Sequence, residues 1–263
     1  MKKLPDTATY PQTDPPEINS DSTPQPHGRI WPYVVPFVLL LGIPALFQMG
    51  GSFIFAEQVA VDNGLTKLWS VTIQSIACAA VIVACWGVYR RAFPVRFGSL
   101  AVVVGVAGAA AWIGICSLSF ESQLFGILGL DSWIPKREGL NPFEQYNDAK
   151  RGWFLVARLS LLCVIVPITE ELLLRGWLLR WIHSESDWAT TSLSTIGWRS
   201  MSWVFIYAVV THPQEAIAAV VWFGMINLLM RRTGNFWDCV LAHSITNLLL
   251  GVWIISTGDW RLW

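Results

Sequence analysis

A chain of 263 residues that is 54% hydrophobic and only 14% charged lies well below the quarter of charged residues usual in soluble domains, so most of it belongs in lipid. Eighteen basic residues balance eighteen acidic ones, which gives no excess of positive charge with which to hold nucleic acid. The five cysteines show no CxxC spacing and fall within or beside apolar stretches, where they read as small packing residues.

Residues 1–28 are rich in Pro, Asp, Ser and Thr and are expected to form a disordered cytoplasmic tail, with no cleavable signal peptide. Residues 29–263 read as a single transmembrane domain. A spanning helix needs about 20 mostly apolar residues, and candidate spans run over 31–49, 68–89, 100–120, 153–182, 198–212, 216–230 and 236–256. The fifth and sixth are short and separated only by Pro213, Gln214 and Glu215, a pattern that predicts a tight helical hairpin. Between the third and fourth, residues 121–151 are polar and hold several Gly and Pro, so a long loop with a surface helix is expected. The predicted architecture is an all-α polytopic bundle of about seven spans, with six and eight as alternatives and no internal repeat. Several of the sixteen tryptophans (Trp31, Trp69, Trp153, Trp198, Trp237) stand at segment ends, where amphipathic rings favour the headgroup level.

Basic residues orient the chain. Lys2, Lys3, Arg29, Arg90, Arg91, Arg96, Arg180, Arg199, Arg231 and Arg232 fall on one side; Lys67, Lys136, Arg137, Lys150, Arg151 and Arg261 fall on the other. The richer side is expected to be cytoplasmic, giving N-in and C-out.

Polar residues at membrane depth carry the functional signal, because an ionised side chain there costs about 3 kcal/mol even on lenient scales. Glu170, Glu171 and Arg175 share the fourth span. Glu171 and Arg175 are an i, i+4 pair with the acid N-terminal, and the sober reading is mutual neutralisation. Glu170 points about 100° away without such a partner, which favours proton transfer. Pro167, three residues earlier, removes a backbone donor and should kink the helix at this level. In the last span, His243 and Asn247 are again i, i+4, and an imidazole beside a carboxamide can hold a developing oxyanion; helix packing is the bland alternative. Asn235 with Asp238 reads as a helix start. His212, just before Pro213, either joins the site or caps its helix. His183 and Arg180 are expected to meet a helix C-terminus, and Arg158 to snorkel or pair near the outer side. Counted at 1.5 Å per residue, Glu170, His212 and His243 lie roughly 18, 21 and 12 Å from the cytoplasmic ends of their spans.

Taken together, Glu170-Glu171-x-x-x-Arg175-Gly176, a histidine some 40 positions later, and His243-x-x-x-Asn247 preceded by Arg232-Thr233-Gly234 resemble the CPBP family. These are the CAAX-prenyl-protease and bacteriocin-processing, or Abi-type, membrane proteins, and the core motifs span 153–251. The polar loop and the terminal Thr257–Trp263 stretch are similar to a bacterial subgroup associated with exosortase sorting systems. One departure is clear: the family's second motif is Phe-x-x-x-His, and position 208 is Ala, with Phe205 and Tyr207 the nearest aromatics. The resemblance implies an intramembrane glutamic endopeptidase of the bacterial inner membrane. Glu170 and His212 would activate water, His243 and Asn247 would bind the oxyanion, and Glu171 and Arg175 would orient the site. It implies no cofactor and no metal, a membrane-anchored or lipidated protein substrate, and contact with lipid. Two rivals remain open at this point: a zinc protease using the same carboxylates and imidazoles, and a non-catalytic membrane scaffold on the same fold. A transporter is disfavoured by the lack of paired broken helices.

Overall fold

A computed structural model describes residues 29–54, 63–118, 120–129 and 139–262; the predicted tail lies outside them. The described chain is helical from end to end. Its elements are α1 (Trp31–Ile54), α2 (Asn63–Ala84), α3 (Trp86–Ala92), α4 (Ser99–Ser117), α5 (Phe120–Ile127), α6 (Pro142–Gln145), α7 (Asp148–Ser160), α8 (Val166–Glu171), α9 (Leu179–His183), α10 (Trp198–Thr211), α11 (Ala216–Thr233) and α12 (Phe236–Thr257).

The candidate spans all appear, with shifted ends. The second starts five residues earlier than expected and breaks at Cys85, beyond which α3 lies as a separate helix of about two turns carrying Arg90 and Arg91. The fourth is a continuous rod of 36 residues, Asp148–His183, built from α7, α8 and α9 joined by two π-helical stretches, Leu161–Ile165 and Leu172–Leu178. The chain runs on through Pro167, where a kink was expected, and the irregularity there is in the hydrogen-bond register. In π register each N–H reaches back five residues, as the Val166 N–H does to the Leu161 carbonyl. Pro167 has no N–H to offer Leu162 in turn. The polar loop contributes the short helices α5 and α6, so surface helix is present where it was expected.

Six of these helices are long and apolar enough to cross a bilayer. The exception among the expected spans is α10, with 14 residues, which forms the predicted hairpin with α11 through the turn at 212–215. At 1.5 Å per residue α10 rises about 21 Å, whereas the 22 residues of α12 rise about 33 Å.

One end of the bundle gathers α3 and the starts of α1, α4, α10 and α12. There Tyr89 donates to the Pro32 carbonyl, Asn235 to the Arg96 carbonyl at 2.9 Å and Arg231 to the Ile196 carbonyl at 3.2 Å. Phe93 stacks on Phe236 with ring centres 4.4 Å apart. Asn235 caps α12 by accepting from the Trp237 N–H, as the sequence suggests. Asp238, however, turns away from its own helix and accepts from the Gly98 N–H at 2.7 Å, tying α12 to the start of α4. Arg180 does not meet the last carbonyls of its helix: it donates to the Gly176 carbonyl, one turn back inside the rod, and clasps the carbonyls of Ala189 and Thr191 in the following loop. His183 instead accepts from the Gly197 N–H. At the opposite end Tyr146 donates to the Gly64 carbonyl at 2.6 Å, and Phe143 packs on Trp260.

Close packing around the site rests on two glycines of α4. A Cβ at Gly105 would sit 2.8 Å from the Ala242 carbonyl, and one at Gly108 would sit 2.9 Å from the Trp222 ring and 3.0 Å from the Thr246 hydroxyl. Small residues let helices approach closely in a bilayer. Here the approach allows Thr246 to donate to the Gly105 carbonyl and to accept from the Trp222 indole, which fixes α12 and α11 against α4.

Candidate active site

Glu170 and Glu171 sit at the C-terminal end of α8, between the two π-helical stretches. Glu171 is fully buried and faces a polar network. Its carboxylate pairs with Arg175 at 3.0 Å, both side chains being inaccessible to solvent. Arg175 passes a second hydrogen bond, 2.9 Å, to the Asn227 carboxamide of α11, and its guanidinium lies over the Phe223 ring. The mutual neutralisation expected of Glu171 and Arg175 is therefore present, but it is only part of the arrangement. Glu171 also takes the Nδ1 of His243 at 3.2 Å. A carboxylate can only accept, so this contact assigns the proton to Nδ1. The other ring nitrogen, Nε2, is then aimed at Glu170, 4.0 Å from its carboxylate.

Glu170 lies on the other side of the same turn and lines a cavity of about 130 Å³. His212, His243, Thr246 and Asn247 line the same cavity, with Trp112, Trp222 and Phe223 as its aromatic wall. The four residues proposed from sequence thus reach one space from three separate helices. His212 stands at the C-terminal end of α10 as the capping reading suggested, its Nδ1 2.9 Å from the Thr211 hydroxyl. Its ring rests against Trp112 at 5.4 Å and Phe223 at 6.2 Å. The missing motif aromatic is accounted for locally: Ala208 is fully buried, and Phe223 from α11 supplies the ring beside His212.

Asn247 has a role the sequence does not reveal. Its side-chain N–H donates to the Leu162 carbonyl at 2.8 Å, the very group that Pro167 leaves without a partner in π register. An amide carries two N–H donors, so one remains for the cavity.

Two further residues belong to the site. Asn227 is a lone carboxamide in an otherwise apolar span, and that oddity alone could have flagged it. Tyr207 is half-buried, packs against Phe223 and Phe37, and directs its hydroxyl toward Glu170. Only its place one residue before the vacant motif position hinted at this. Among the described residues no group of three or more His, Cys, Asp or Glu is arranged to hold a metal ion.

Comparison with known proteins adds one finding. Residues 152–249 match the family model described as Type II CAAX prenyl endopeptidase Rce1-like, a stretch of less than half the chain that contains both glutamates, Arg175, both histidines and Asn247. No curated protein and no solved structure matches. The match is to the helical core that carries these residues and leaves the rest of the chain unmatched.

Proposed function

We propose that the chain is an intramembrane endopeptidase that cleaves membrane-associated protein substrates by activating water with Glu170. The observation that carries this reading is the convergence of Glu170, His212, His243 and Asn247 on one cavity inside an apolar bundle. In this reading the water oxygen bonds to the scissile carbonyl carbon while its proton passes to the Glu170 carboxylate. The tetrahedral oxyanion is met by the second Asn247 N–H. The C–N bond then breaks, and the amine leaves with the proton returned from Glu170. His243, with Nδ1 committed to Glu171, presents an accepting Nε2 toward Glu170 and is suited to relaying that proton; once protonated it becomes a second oxyanion donor. His212 steadies the water from the hairpin side. Glu171 and Arg175 act through His243, as positioning residues.

The same reading places the protein in the bacterial inner membrane with the arginine-rich end cytoplasmic. Of the described basic residues, Arg29, Arg90, Arg91, Arg96, Arg180, Arg199, Arg231 and Arg232 belong to that end, against Lys67, Lys150, Arg151 and Arg261 at the other. The N-terminus is then inside and the end of α12 outside. The test is cleavage of membrane-anchored peptides by protein reconstituted in lipid, wild type against Glu170→Gln. Cleavage that depends on Glu170 and persists in a zinc chelator supports the glutamic mechanism. Cleavage abolished by chelation and restored by zinc would replace it with metal chemistry.

A further inference from the structure

The cavity that receives Glu170 is directional. Arg158, Leu162, Val166 and Glu170 line it from the long rod, at four-residue steps that keep them on one helical face. On α12 the lining runs from His243 through Asn247 and Leu250 to Ile254, and Leu262 continues it beyond the helix end. The two stripes are antiparallel in sequence but extend the same way in space, from the Glu170–His243 pair toward the end of the bundle that holds Asp148 and Thr257. In the other direction the space closes. Leu174, Cys239, Phe223, Ile226 and Met230 are fully buried there, and the Glu171–Arg175–Asn227 network fills the remainder.

The short hairpin explains the shape. It begins level with α12 at the arginine-rich end, where Arg231 lies over the Trp198 ring. Yet α10 is eight residues shorter than α12, so it stops about 12 Å before α12 does. Among the described residues no spanning helix stands above His212 and Phe223, and the groove occupies that place.

Resting on the protease reading above, we infer that substrate reaches Glu170 from the face opposite the arginine-rich one, that is, from the extracytoplasmic side. The twelve residues from His243 to Ile254 span about 17 Å of helix, room for about five residues of extended peptide. Apart from Arg158, the walls above the catalytic groups are apolar (Leu162, Val166, Leu250, Ile254, Leu262), which suits a segment that is mainly hydrophobic. The substrate class is therefore an apolar, extended stretch of a membrane-anchored polypeptide whose scissile bond is presented at the outer leaflet, rather than a lipidated tail presented from the cytosol.

Sided labelling tests this. Leu250→Cys and Ile254→Cys are each treated with a membrane-impermeant maleimide in right-side-out and in inverted vesicles, with wild-type labelling of the native cysteines subtracted. Arg91→Cys and Gly258→Cys, outside the spans, report which face is which. Both groove cysteines are expected to label at least tenfold faster from the Gly258 side and to lose cleavage as they label. Labelling from the Arg91 side would overturn the direction of access whether or not the protein cleaves anything. Conversely, labelling from the Gly258 side in a protein that cleaves no peptide would keep the groove and remove only the protease reading. Leu250→Trp provides a second measurement: a filled groove should lower cleavage tenfold or more at unchanged thermal stability, and undiminished cleavage would count against the path.

Discussion

Glu170 and Glu171 are consecutive residues of the same chemistry, and their surroundings are opposite. Glu171 is sealed, its oxygens committed to Arg175 and to His243, and Arg175 is anchored in turn on Asn227. Glu170 borders the cavity, with the Nε2 of His243 4.0 Å from its carboxylate and the Tyr207 hydroxyl directed toward it. A rotation of about 100° around the helix separates the two positions. The contrast teaches how a bilayer protein can keep an ionisable group available for chemistry. One carboxylate satisfies the buried cation and fixes the imidazole; its neighbour is thereby spared both tasks. The two glutamates should therefore fail in different ways when they are changed.

The largest effect is expected at Glu170. Glu170→Gln keeps the shape of the side chain and removes the base, so cleavage in proteoliposomes should fall by roughly 10² to 10⁴. Its melting temperature should stay within about 2 °C of wild type, since no ion pair of the sealed network is lost. A well-folded Glu170→Gln protein that cleaves at the wild-type rate would erase the distinction and leave the scaffold reading.

Glu171→Ala should do the reverse. It leaves Arg175 buried with only Asn227, and an orphaned buried charge destabilises by about 3–5 kcal/mol. The sharper test is Glu171→Leu combined with Arg175→Met, in which no charge is stranded. That pair should recover most of the lost stability yet remain impaired in cleavage, because His243 has lost the partner that fixes its ring. Recovery of both stability and cleavage would show that Glu171 does nothing for His243.

Asn247 lies between the two regimes. Asn247→Leu removes the donor to the Leu162 carbonyl, and an unsatisfied buried acceptor costs about 1–3 kcal/mol. If the second N–H also meets the oxyanion, kcat should fall by roughly 10² to 10³ with KM nearly unchanged. A loss of activity no greater than the loss of folded protein would confine Asn247 to bracing the proline turn.

How much of this was legible in the sequence follows from what each feature depends on. The spans, the hairpin and the cap at Asn235 rest on local pattern and were readable. The catalytic candidates were readable too, because a polar group in an apolar run advertises itself. The exceptions depend on what packs against what. That Asp238 answers Gly98, that Asn247 answers Leu162, and that Glu171 holds His243 are contacts between residues 72 to 140 positions apart, and no periodicity encodes them. The π register around Pro167 was likewise hidden: a proline announces a missing N–H but not which carbonyl is left over. The groove was hidden for a different reason. It arises from a length difference between α10 and α12, which hydropathy reads only as one span shorter than the rest.

A third carboxylate calibrates the comparison, because Asp259 repeats the Glu171–Arg175 chemistry in water. Arg261 reaches Asp259 with two hydrogen bonds, 2.7 and 2.8 Å, just beyond the end of α12. The pair is as well formed as the buried one, but the arginine side chain is 71% exposed. Hydrogen bonding from Arg261 holds the Asp259 carboxyl below its ordinary range. A depressed folded-state pKa contributes stability that is present above the unfolded-state value and is lost as pH falls through the folded one. Asp259→Asn should therefore lower stability by less than about 1 kcal/mol at about pH 7, and by less still in high salt. The gap between wild type and variant should close as pH is lowered through the folded pKa of Asp259. Thermal melts of the two proteins across that range, at low and high salt, provide the measurement. A gap as large as that of Glu171→Ala, or one that persists in acid, would mean that the terminal turn braces the bundle through something other than this pair, and burial would no longer explain why one ion pair matters more than the other.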